Sequence, residues 1–185
     1  LDFDKNDYLI SEVKFKYGEE EFNPLESKIQ INSARNMIEE TKALNAFRST
    51  GFMFDAKNVR FILPNNDSIY EFLTNDINYY MQKFEVLATD KFKSKEIIKP
   101  KISNIGVKVE NDLLSINLKE LNIDTKELKD ILEKYELKKK YHRLKDGTFL
   151  ELEENKDIDF LNKLINGMDI TYKDFEMGEI KLPTY

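Results

Sequence analysis

The sequence predicts an α+β fold, in which about four main helices pack against antiparallel β-hairpins. Apolar residues recur at helical spacing in four segments, near residues 33–47, 68–84, 124–135 and 157–165. Shorter segments alternate apolar with polar or charged residues at the period of a strand. An Asp146-Gly147 pair between strand-forming residues adds a strong hairpin signal.

The first strands are predicted close to the amino end. Residues 1–4 and 8–17 read as two strands joined by a polar turn. In the second, apolar residues alternate with lysines, which is the period of a strand with one buried face. Gly18 ends it. A further short apolar strand is predicted over residues 59–63, bounded by Pro64.

Two helices are predicted in the same part of the chain. Ser33 is expected to cap the first, which runs to about Phe47 and stops before Gly51. Its apolar side is predicted to hold Met37, Ile38, Thr41 and Leu44. Ser68 and Glu71 have the spacing of a capping box for the second helix. Its buried stripe is predicted to hold Ile69, Phe72, Leu73, Ile77, Tyr80, Met81 and Phe84, which we interpret as core rather than as a base-stacking platform.

A lysine-rich segment over residues 91–101 is predicted to be extended, or a linker. Pro100 disfavours helix for the residue before it, so we expect a subdomain boundary near residues 95–102. Two paired strands are predicted beyond it, turning at Asn111-Asp112. Their apolar residues are Ile105, Val107, Val109, Leu114, Ile116 and Leu118.

The last part of the chain reads as helix, hairpin, helix. Asp124 is predicted to cap the first of these helices, whose buried side is Leu128, Ile131, Leu132 and Tyr135. Asn155 or Asp157 is predicted to start the second, whose buried side is Ile158, Leu161, Leu164 and Ile165. We expect one accessory domain over residues 1–169, followed by an extended exit segment over residues 170–185.

The hairpin between these helices allows a prediction of strand register. A two-residue type I′ turn at Asp146-Gly147 needs positive φ at both positions. Such a turn would place Leu144 opposite Phe149 and His142 opposite Glu151. A cross-strand contact between His142 and Glu151 is therefore the predicted role of the single histidine.

Composition excludes several classes of function. The 185 residues include no cysteine and one histidine, which excludes a disulfide framework, cysteine-based zinc sites and a histidine-rich metal cluster. No Gly-Lys-Ser/Thr sequence exists to cradle a phosphate, so no cofactor is expected in this chain. No window approaches the roughly 18 apolar residues of a membrane span, and no export signal is visible. We therefore expect a cytoplasmic protein without a membrane partner.

A cluster of positive charge is the remaining candidate site. It lies where the helix near residue 135 meets the hairpin, and its members are Lys134, Lys138, Lys139, Lys140, Arg143 and Lys145. A helix followed by a basic hairpin is a way to contact a phosphate backbone, although lysines at a helix end also favour the helix dipole and solvent. The net charge of -6 lowers the expectation of DNA binding, because polyanion binders are usually basic.

Several stretches resemble a known family. They are residues 12–18 followed by Asn23-Pro24, then Arg35-Asn36 with Glu39-Glu40, and above all residues 139–149, which read KKYHRLKDGTF. Together they resemble the helicase-associated region that precedes the motor in bacterial Swi/Snf-family helicases. The resemblance implies that this chain, as part of a longer protein, lies upstream of two ATPase lobes that translocate on double-stranded DNA. ATP and Mg²⁺ would then belong to the motor, and the role of this chain would be accessory.

Two hypotheses follow, and a third is weaker. In the first, the chain docks on the motor lobes and regulates them through an apolar patch and an acidic surface. In the second, it contacts double-stranded DNA through the basic cluster, with help from the lysines of residues 91–101. A hydrolase built on His142 would need a pocket that joins it to a serine and a carboxylate.

Overall fold

The computed structural model describes residues 1–95, 97–99, 106–110, 113–117, 124–167 and 179–183. Its helices and mostly antiparallel sheets confirm the predicted α+β class. The chain divides into two compact units, Leu1–Glu96 and Ile97–Tyr185. In the part of the chain that is described, no helix has both the length and the apolar character needed to cross a membrane.

The described strands of the first unit form two antiparallel sheets. They are β1 (Asp2–Phe3), β2 (Leu9–Ser11), β3 (Phe15–Tyr17), β4 (Glu20–Phe22), β5 (Met53–Asp55) and β6 (Arg60–Leu63). The larger sheet has the order β1-β2-β6-β5, and β3 pairs with β4 in a separate hairpin. Residues 8–17 were predicted as one strand and form two, because the chain leaves the larger sheet after β2 and buries Val13 before it pairs again.

The helices of the first unit cover one face of the larger sheet. They are α1 (Met37–Ser49), α2 (Asn66–Glu71), α3 (Ile77–Lys83) and α4 (Asp90–Lys93), and a π-helical turn (Phe72–Asp76) joins α2 to α3. Phe47 of α1 stacks on Phe61 of β6 with ring centroids 5.2 Å apart, and it meets the edge of Tyr80 at 5.0 Å. Phe52 meets Phe72 in the same way at 5.2 Å. Of the predicted aromatic stripe, Phe72 and Tyr80 are therefore core, and Phe84 is partly buried beside Tyr80.

The buried side of α1 differs from the predicted one. Met37, Ile38 and Thr41 are exposed, whereas Glu40 and Phe47 are buried. Helical spacing identifies the apolar residues that share one side of α1. It does not show that α1 instead turns its Glu40 side inward, toward the hydrogen-bond donors of that carboxylate. The helix also begins later than predicted, because the side chain of Asn36, not that of Ser33, accepts a hydrogen bond from the first turn.

The second predicted helix is interrupted, which changes its buried stripe. Asn65, not Ser68, caps α2, and its side chain accepts a hydrogen bond from the Asp67 N–H at 2.8 Å. A π turn holds one residue more than an α turn, so the residues beyond it are rotated relative to α-helical spacing. Tyr80 is buried as predicted, but Met81 is 63% exposed, which corrects the prediction.

The lysine-rich segment is partly helical, not wholly extended. Its first residues belong to α4, which Thr89 caps by accepting a hydrogen bond from the Phe92 N–H at 3.2 Å. The chain then becomes extended in β7 (Ile97–Ile98). A cap and one short helical turn need only four or five residues, so a helix this short has no periodicity to read. Residues 96, 100 and 101 of this segment lie outside the described residues.

The described strands of the second unit form two three-stranded sheets. Besides β7 they are β8 (Gly106–Glu110), β9 (Leu113–Asn117), β10 (Tyr141–Arg143), β11 (Phe149–Glu151) and β12 (Glu179–Pro183). The sheet orders are β10-β11-β7, where β7 runs parallel to β11, and β12-β9-β8. The predicted β8-β9 hairpin is confirmed, with Glu110 opposite Leu113, and its turn residues lie outside the described residues. Of the predicted exit segment, residues 179–183 pair with β9, and the other residues are not described.

Two helices form the core of the second unit, α5 (Leu128–Glu136) and α6 (Lys156–Gly167). Both predicted stripes are confirmed, and with side chains of β11 and the residue after it they form one cluster: Leu128, Ile131, Leu132, Leu150, Leu152, Ile158, Leu161 and Ile165. Asp124 accepts a hydrogen bond from the Lys126 N–H in a 3₁₀ turn (Thr125–Glu127) that precedes α5. Asn155 caps α6 by accepting from the N–H groups of Asp157 and Ile158 at 3.0 and 3.1 Å.

Candidate functional site

The basic cluster begins where α5 ends. Lys138 is in the left-handed conformation, with φ of 54°. Its N–H donates to the Tyr135 carbonyl at 2.9 Å, and the Lys139 N–H donates to the Lys134 carbonyl at 3.0 Å. This is a Schellman ending, in which glycine usually takes the left-handed position because a side chain there is strained. The helix therefore ends sharply at a lysine and directs the chain into β10.

The turn between β10 and β11 holds three residues, not the predicted two. Gly147 has a φ of 88°, but Asp146 is not among the described residues with positive φ, so a type I′ turn is excluded. Instead, the Gly147 N–H donates to the Leu144 carbonyl at 2.9 Å, and the Leu144 N–H donates to the Thr148 carbonyl at 2.8 Å. The Asp146 carboxylate accepts from the Thr148 N–H at 2.8 Å. The side chain of Asp146 therefore shapes the turn that its backbone was expected to shape.

One extra turn residue shifts the register of the hairpin by one. His142 lies opposite Leu150, and Glu151 lies opposite Tyr141, so the predicted pair of His142 with Glu151 is wrong. The predicted pair of Leu144 with Phe149 is wrong for the same reason, since Arg143 lies opposite Phe149. A shift of one residue turns a side chain to the other face of a strand.

His142 contacts Glu127 instead. Both residues are buried, with exposed fractions of 4% and 7%, and His142 Nε2 lies 3.4 Å from Glu127 Oε2. The same oxygen accepts a hydrogen bond from the Lys145 N–H at 3.3 Å, so Glu127 links the hairpin turn to the start of α5. His142 Nδ1 is buried without a hydrogen-bond partner among the described residues. Burial and then the charge of Lys134 lower the pKa of His142, against the opposite effects of Glu127 and Asp130.

The six basic residues do not share one surface. Lys134 is half-buried on α5 and lies near His142, whose side chain is on the face of the hairpin that packs against α5. Arg143 lies on the other face, where its guanidinium carbon is 4.9 Å from the centre of the Phe149 ring and its Nε donates to the Gly147 carbonyl at 3.3 Å. The exposed members are Lys138, Lys139, Lys140 and Lys145.

The lysines of α4 and the residues after it bind their own unit. Lys91 Nζ donates to the Phe3 and Asp4 carbonyls at 2.7 and 2.6 Å. Lys95 is buried, and its Nζ lies 2.5 Å from an Asp7 carboxylate oxygen. These two lysines are therefore occupied by contacts within the first unit and are poor candidates for contact with DNA.

The larger sheet of the first unit carries apolar residues on the face away from its core. Leu9, Phe61 and Leu63 point toward the helices, so the alternate residues of the same strands point outward. The observed register places Ile10, Ile62 and Met53 side by side across β2, β6 and β5 on that outward face. We call these three residues the outer row. Ile10 and Ile62 are partly exposed, and Met53 is 58% exposed.

An acidic cavity of about 420 Å³ lies in the second unit. It is lined by Lys99, Glu151, Glu153, Glu154 and Asn155, and Lys99 Nζ lies 3.3 Å from Glu151 Oε1. Among the described residues, no group of three or more histidine, aspartate or glutamate side chains is arranged to hold a metal ion. The cavity therefore has charge but no converging ligand set.

The outer row and the Glu127 contact were missed by sequence reasoning. A signal for the row existed, because β6 has apolar residues at three successive positions, and one of the three must point away from the core if the other two are buried. No comparable signal existed for Glu127, which lies 15 residues from its histidine partner. Its position at a helix start has a common local explanation, since a carboxylate there favours the helix dipole.

A comparison with protein families accounts for the whole chain. A family model described as bacterial SNF2 helicase associated matches residues 1–185, which include both units, the basic cluster and the outer row. No curated protein and no solved structure matches the chain. The match confirms the family resemblance of residues 12–18 and 139–149. The chain belongs to the bacterial SNF2 helicase-associated family.

Proposed function

We propose that this chain is a non-catalytic accessory domain of a bacterial SNF2-family ATP-dependent DNA translocase. It docks on the ATPase motor lobes of the same polypeptide and regulates them, in the cytoplasm. In this proposal, ATP and Mg²⁺ bind to the motor. This sequence has no phosphate-binding loop of its own. The observation that supports docking best is the outer row on the first unit's sheet.

The outer row has the composition of an interface rather than of a solvated face. An antiparallel sheet with one free face normally shows polar residues there, whereas three strands here carry isoleucine or methionine. Beside the row, Arg60 forms ion pairs with Asp55 at 3.2 Å and Asp4 at 3.7 Å. An apolar centre beside charged groups is the usual anatomy of a protein interface. We infer that the motor covers this face.

A methionine pair on the first unit allows a matched test of docking. Met53 and Met81 are 58% and 63% exposed, and only Met53 belongs to the outer row. Binding of the chain to the separately purified motor lobes is measured by biolayer interferometry for the variants Met53→Gln and Met81→Gln. We expect Met53→Gln to weaken binding roughly 10-fold, because a methionine buried at an interface contributes about 1.5 kcal/mol. Met81→Gln should bind like the unchanged chain.

Two outcomes would contradict this proposal. Equal affinity for both variants would show that the motor docks elsewhere. If the unchanged chain does not bind the motor lobes, docking itself is wrong. Regulation is tested separately, by the DNA-stimulated ATPase rate of the full polypeptide with and without Met53→Gln, and an unchanged rate would argue against it.

A second candidate function, contact with double-stranded DNA, is favoured by Lys138. This residue keeps a left-handed conformation at a helix end where glycine is common. Strained conformations cluster at functional sites, and the property that Lys138 would contribute here is its positive charge. Lys139 and Lys145 are exposed nearby, and no described residue forms an ion pair with any of these three side chains. Together they would contact phosphates and hold the duplex near the motor.

Fluorescence anisotropy of labelled duplex DNA across a salt series tests this second function. The variant carries Lys138, Lys139 and Lys145 changed to Glu, and the matched control carries the exposed Lys5, Lys57 and Lys83 changed to Glu. DNA contact predicts that affinity is lost only in the first variant. It also predicts a log-log salt slope of about -0.9 for each phosphate contacted. Equal losses would indicate a general effect of charge.

A glycine at position 138 separates strain from charge. Lys138→Gly should stabilise the helix end by about 0.5 kcal/mol, because it removes the left-handed strain. If the Lys138 side chain contacts DNA, the same variant should bind duplex more weakly. A variant that is more stable and binds equally well would remove the reason for this second function.

A further inference from the structure

The two edges of the β1-β2-β6-β5 sheet differ in how they are covered. At the β1 edge, the Thr89 N–H donates to the Leu1 carbonyl at 3.1 Å, and Lys91 Nζ donates to the Phe3 carbonyl at 2.7 Å. At the β5 edge, the described residues form no backbone hydrogen bond to Met53–Asp55 other than the pairing with β6. In the described part of the chain, one edge is therefore closed by the segment before and within α4, and the other has no backbone partner besides β6.

The β5 edge is three residues long, and a short edge strand is one of the ways in which proteins protect a sheet edge. It has few of the other protections. β5 contains no proline and no lysine, and no bulge interrupts its register with β6. Met53 and Phe54 point to opposite faces, and both are exposed, by 58% and 50%. Its single charge, on Asp55, is held by Arg60 at 3.2 Å. An exposed apolar edge with so few protections can accept a further strand.

We propose that an extended segment of the SNF2 motor polypeptide adds to Met53–Asp55 as a fifth strand. This inference rests on the docking under Proposed function and specifies how docking occurs. The outward N–H and C=O groups of an edge strand are matched best by another extended backbone. One face of the added strand would continue the outer row beyond Met53, so the added segment should have apolar residues at alternate positions.

Charge favours the motor segment over a second copy of this chain. Each copy has a net charge of -6, so pairing of β5 with β5 of another copy would bring two acidic molecules together. A motor segment of neutral or basic character has no such penalty. Pairing with a second copy is one of the outcomes that the experiment below distinguishes.

Amide hydrogen exchange read by NMR tests strand addition directly. The ¹⁵N-labelled chain is compared alone and with unlabelled motor lobes. Strand addition predicts that one or more outward amides of Met53–Asp55 exchange at least about 10-fold more slowly in the complex, as newly hydrogen-bonded amides do. Amides of α1, which already bond within the helix, should change much less.

Two aromatic residues with nearly equal exposure give a test variant and its control. Phe54 and Tyr79 are 50% and 49% exposed, and lysine is the residue that natural proteins use to block edge pairing. Phe54→Lys should lower the affinity for the motor lobes at least 10-fold, and Tyr79→Lys should not. The amide spectrum of each free variant checks that it is folded.

The outcomes separate this inference from the docking on which it rests. Binding without slower exchange in β5 would overturn strand addition and leave docking through the face of the sheet. Wild-type affinity in Phe54→Lys would overturn strand addition in the same way. If β5 amides are already protected in a dimer of the chain, shown by sedimentation, the occupant is a second copy and the proposal is wrong. Failure to bind the motor lobes would overturn both proposals.

Discussion

Each unit buries a glutamate, and the two carboxylates differ in how well they are satisfied. Glu40 in the first unit is 4% exposed and accepts three hydrogen bonds, from the Tyr17 hydroxyl at 2.8 Å and from Arg35 Nε and Nη2 at 3.0 and 2.5 Å. Glu127 in the second unit is 7% exposed and has two contacts, at 3.3 and 3.4 Å. The two carboxylates are therefore buried to a similar extent, but Glu40 has more and shorter hydrogen bonds than Glu127.

The difference indicates different roles. A buried carboxylate costs several kcal/mol of desolvation unless charge and hydrogen bonds compensate it, and the guanidinium does so for Glu40. That network joins the β3-β4 hairpin, through Tyr17, to α1. Glu127 is compensated less well, and its histidine partner keeps a buried nitrogen without a partner among the described residues. We infer that the first network ties its hairpin to α1 more strongly than the second ties the basic hairpin to α5.

Removal of the Glu40 carboxylate should have the largest effect. Glu40→Ala leaves the Arg35 guanidinium and the Tyr17 hydroxyl without their acceptor, so we expect the first unit to lose about 3 kcal/mol of unfolding free energy. Urea titration followed by hydrogen exchange mass spectrometry reports each unit separately. The control is Glu39→Ala, an exposed neighbour paired only with Lys42, which should change stability by less than about 0.5 kcal/mol. Equal effects would mean that burial adds nothing at position 40.

Removal of the Glu127 carboxylate should have a smaller effect. Glu127→Ala deletes two long contacts and frees the turn at Lys145, so we expect a loss of about 1.5 kcal/mol, confined to the second unit. The same exchange experiment applies, with the exposed Glu133→Ala as control. A loss as large as that of Glu40→Ala would remove the contrast between the two networks.

Acid should loosen the second unit before the first. The pKa of His142 is lowered, mainly by burial, so the unfolded chain binds its proton more readily. Stability is therefore complete above the ordinary value of 6.5, decreases as the pH falls below it, and levels off below the folded pKa. The Arg35 hydrogen bond lowers the pKa of Glu40, so that contribution is present above 4.5 and is lost as the pH falls through the folded pKa. Exchange measured between pH 7.5 and pH 4 should show this order.

A histidine variant isolates the source of that pH dependence. His142→Gln removes the titrating ring, so the second unit should lose its pH dependence near neutrality while the first unit keeps its own at lower pH. If the slope persists in the variant, another group is responsible. The groups that face His142 are Glu127, Asp130 and Lys134.

The smallest expected effect concerns Lys134. Its positive charge lowers the pKa of His142, so Lys134→Met should raise that pKa and reduce the pH dependence of the second unit. The chain has one histidine, so a single ring resonance reports its titration by NMR. The control is Lys129→Met, an exposed lysine on the same helix that is paired with Glu133. An unchanged titration would show that water screens the Lys134 charge.

Much of the fold could be predicted, and the errors have physical causes. The stripes of α5 and α6 were predicted correctly, because a regular helix that packs on one core repeats its apolar residues at its own period. The stripe of the earlier helix was wrong at Met81, because one π turn changed the phase. The side of α1 was wrong, because the helix buries Glu40 against Arg35 and Tyr17. Both errors come from interactions that a helical wheel does not contain.

The position of the candidate site in the chain could be predicted, but the arrangement of its side chains could not. The hairpin between α5 and α6 follows from local turn residues, but its register depends on whether Asp146 contributes its backbone or its side chain to the turn. The basic residues were identified correctly as a cluster in sequence. Side chains alternate along β10, so Arg143 lies on the opposite face of the hairpin from His142 and from Lys134, which is near His142.

Local sequence was enough to predict the α+β class, the cap of α6, the positions of the hairpins and the family, because these depend on residues close together in the chain. The folded structure was needed to show which apolar residues face outward in the outer row, which sheet edge has no further partner among the described residues, and which lysines are occupied. These features depend on partners far apart in sequence, such as Lys95 with Asp7 and Ile62 with Ile10. Periodicity shows which residues share one face of a helix or strand, but contacts between distant segments determine what covers that face.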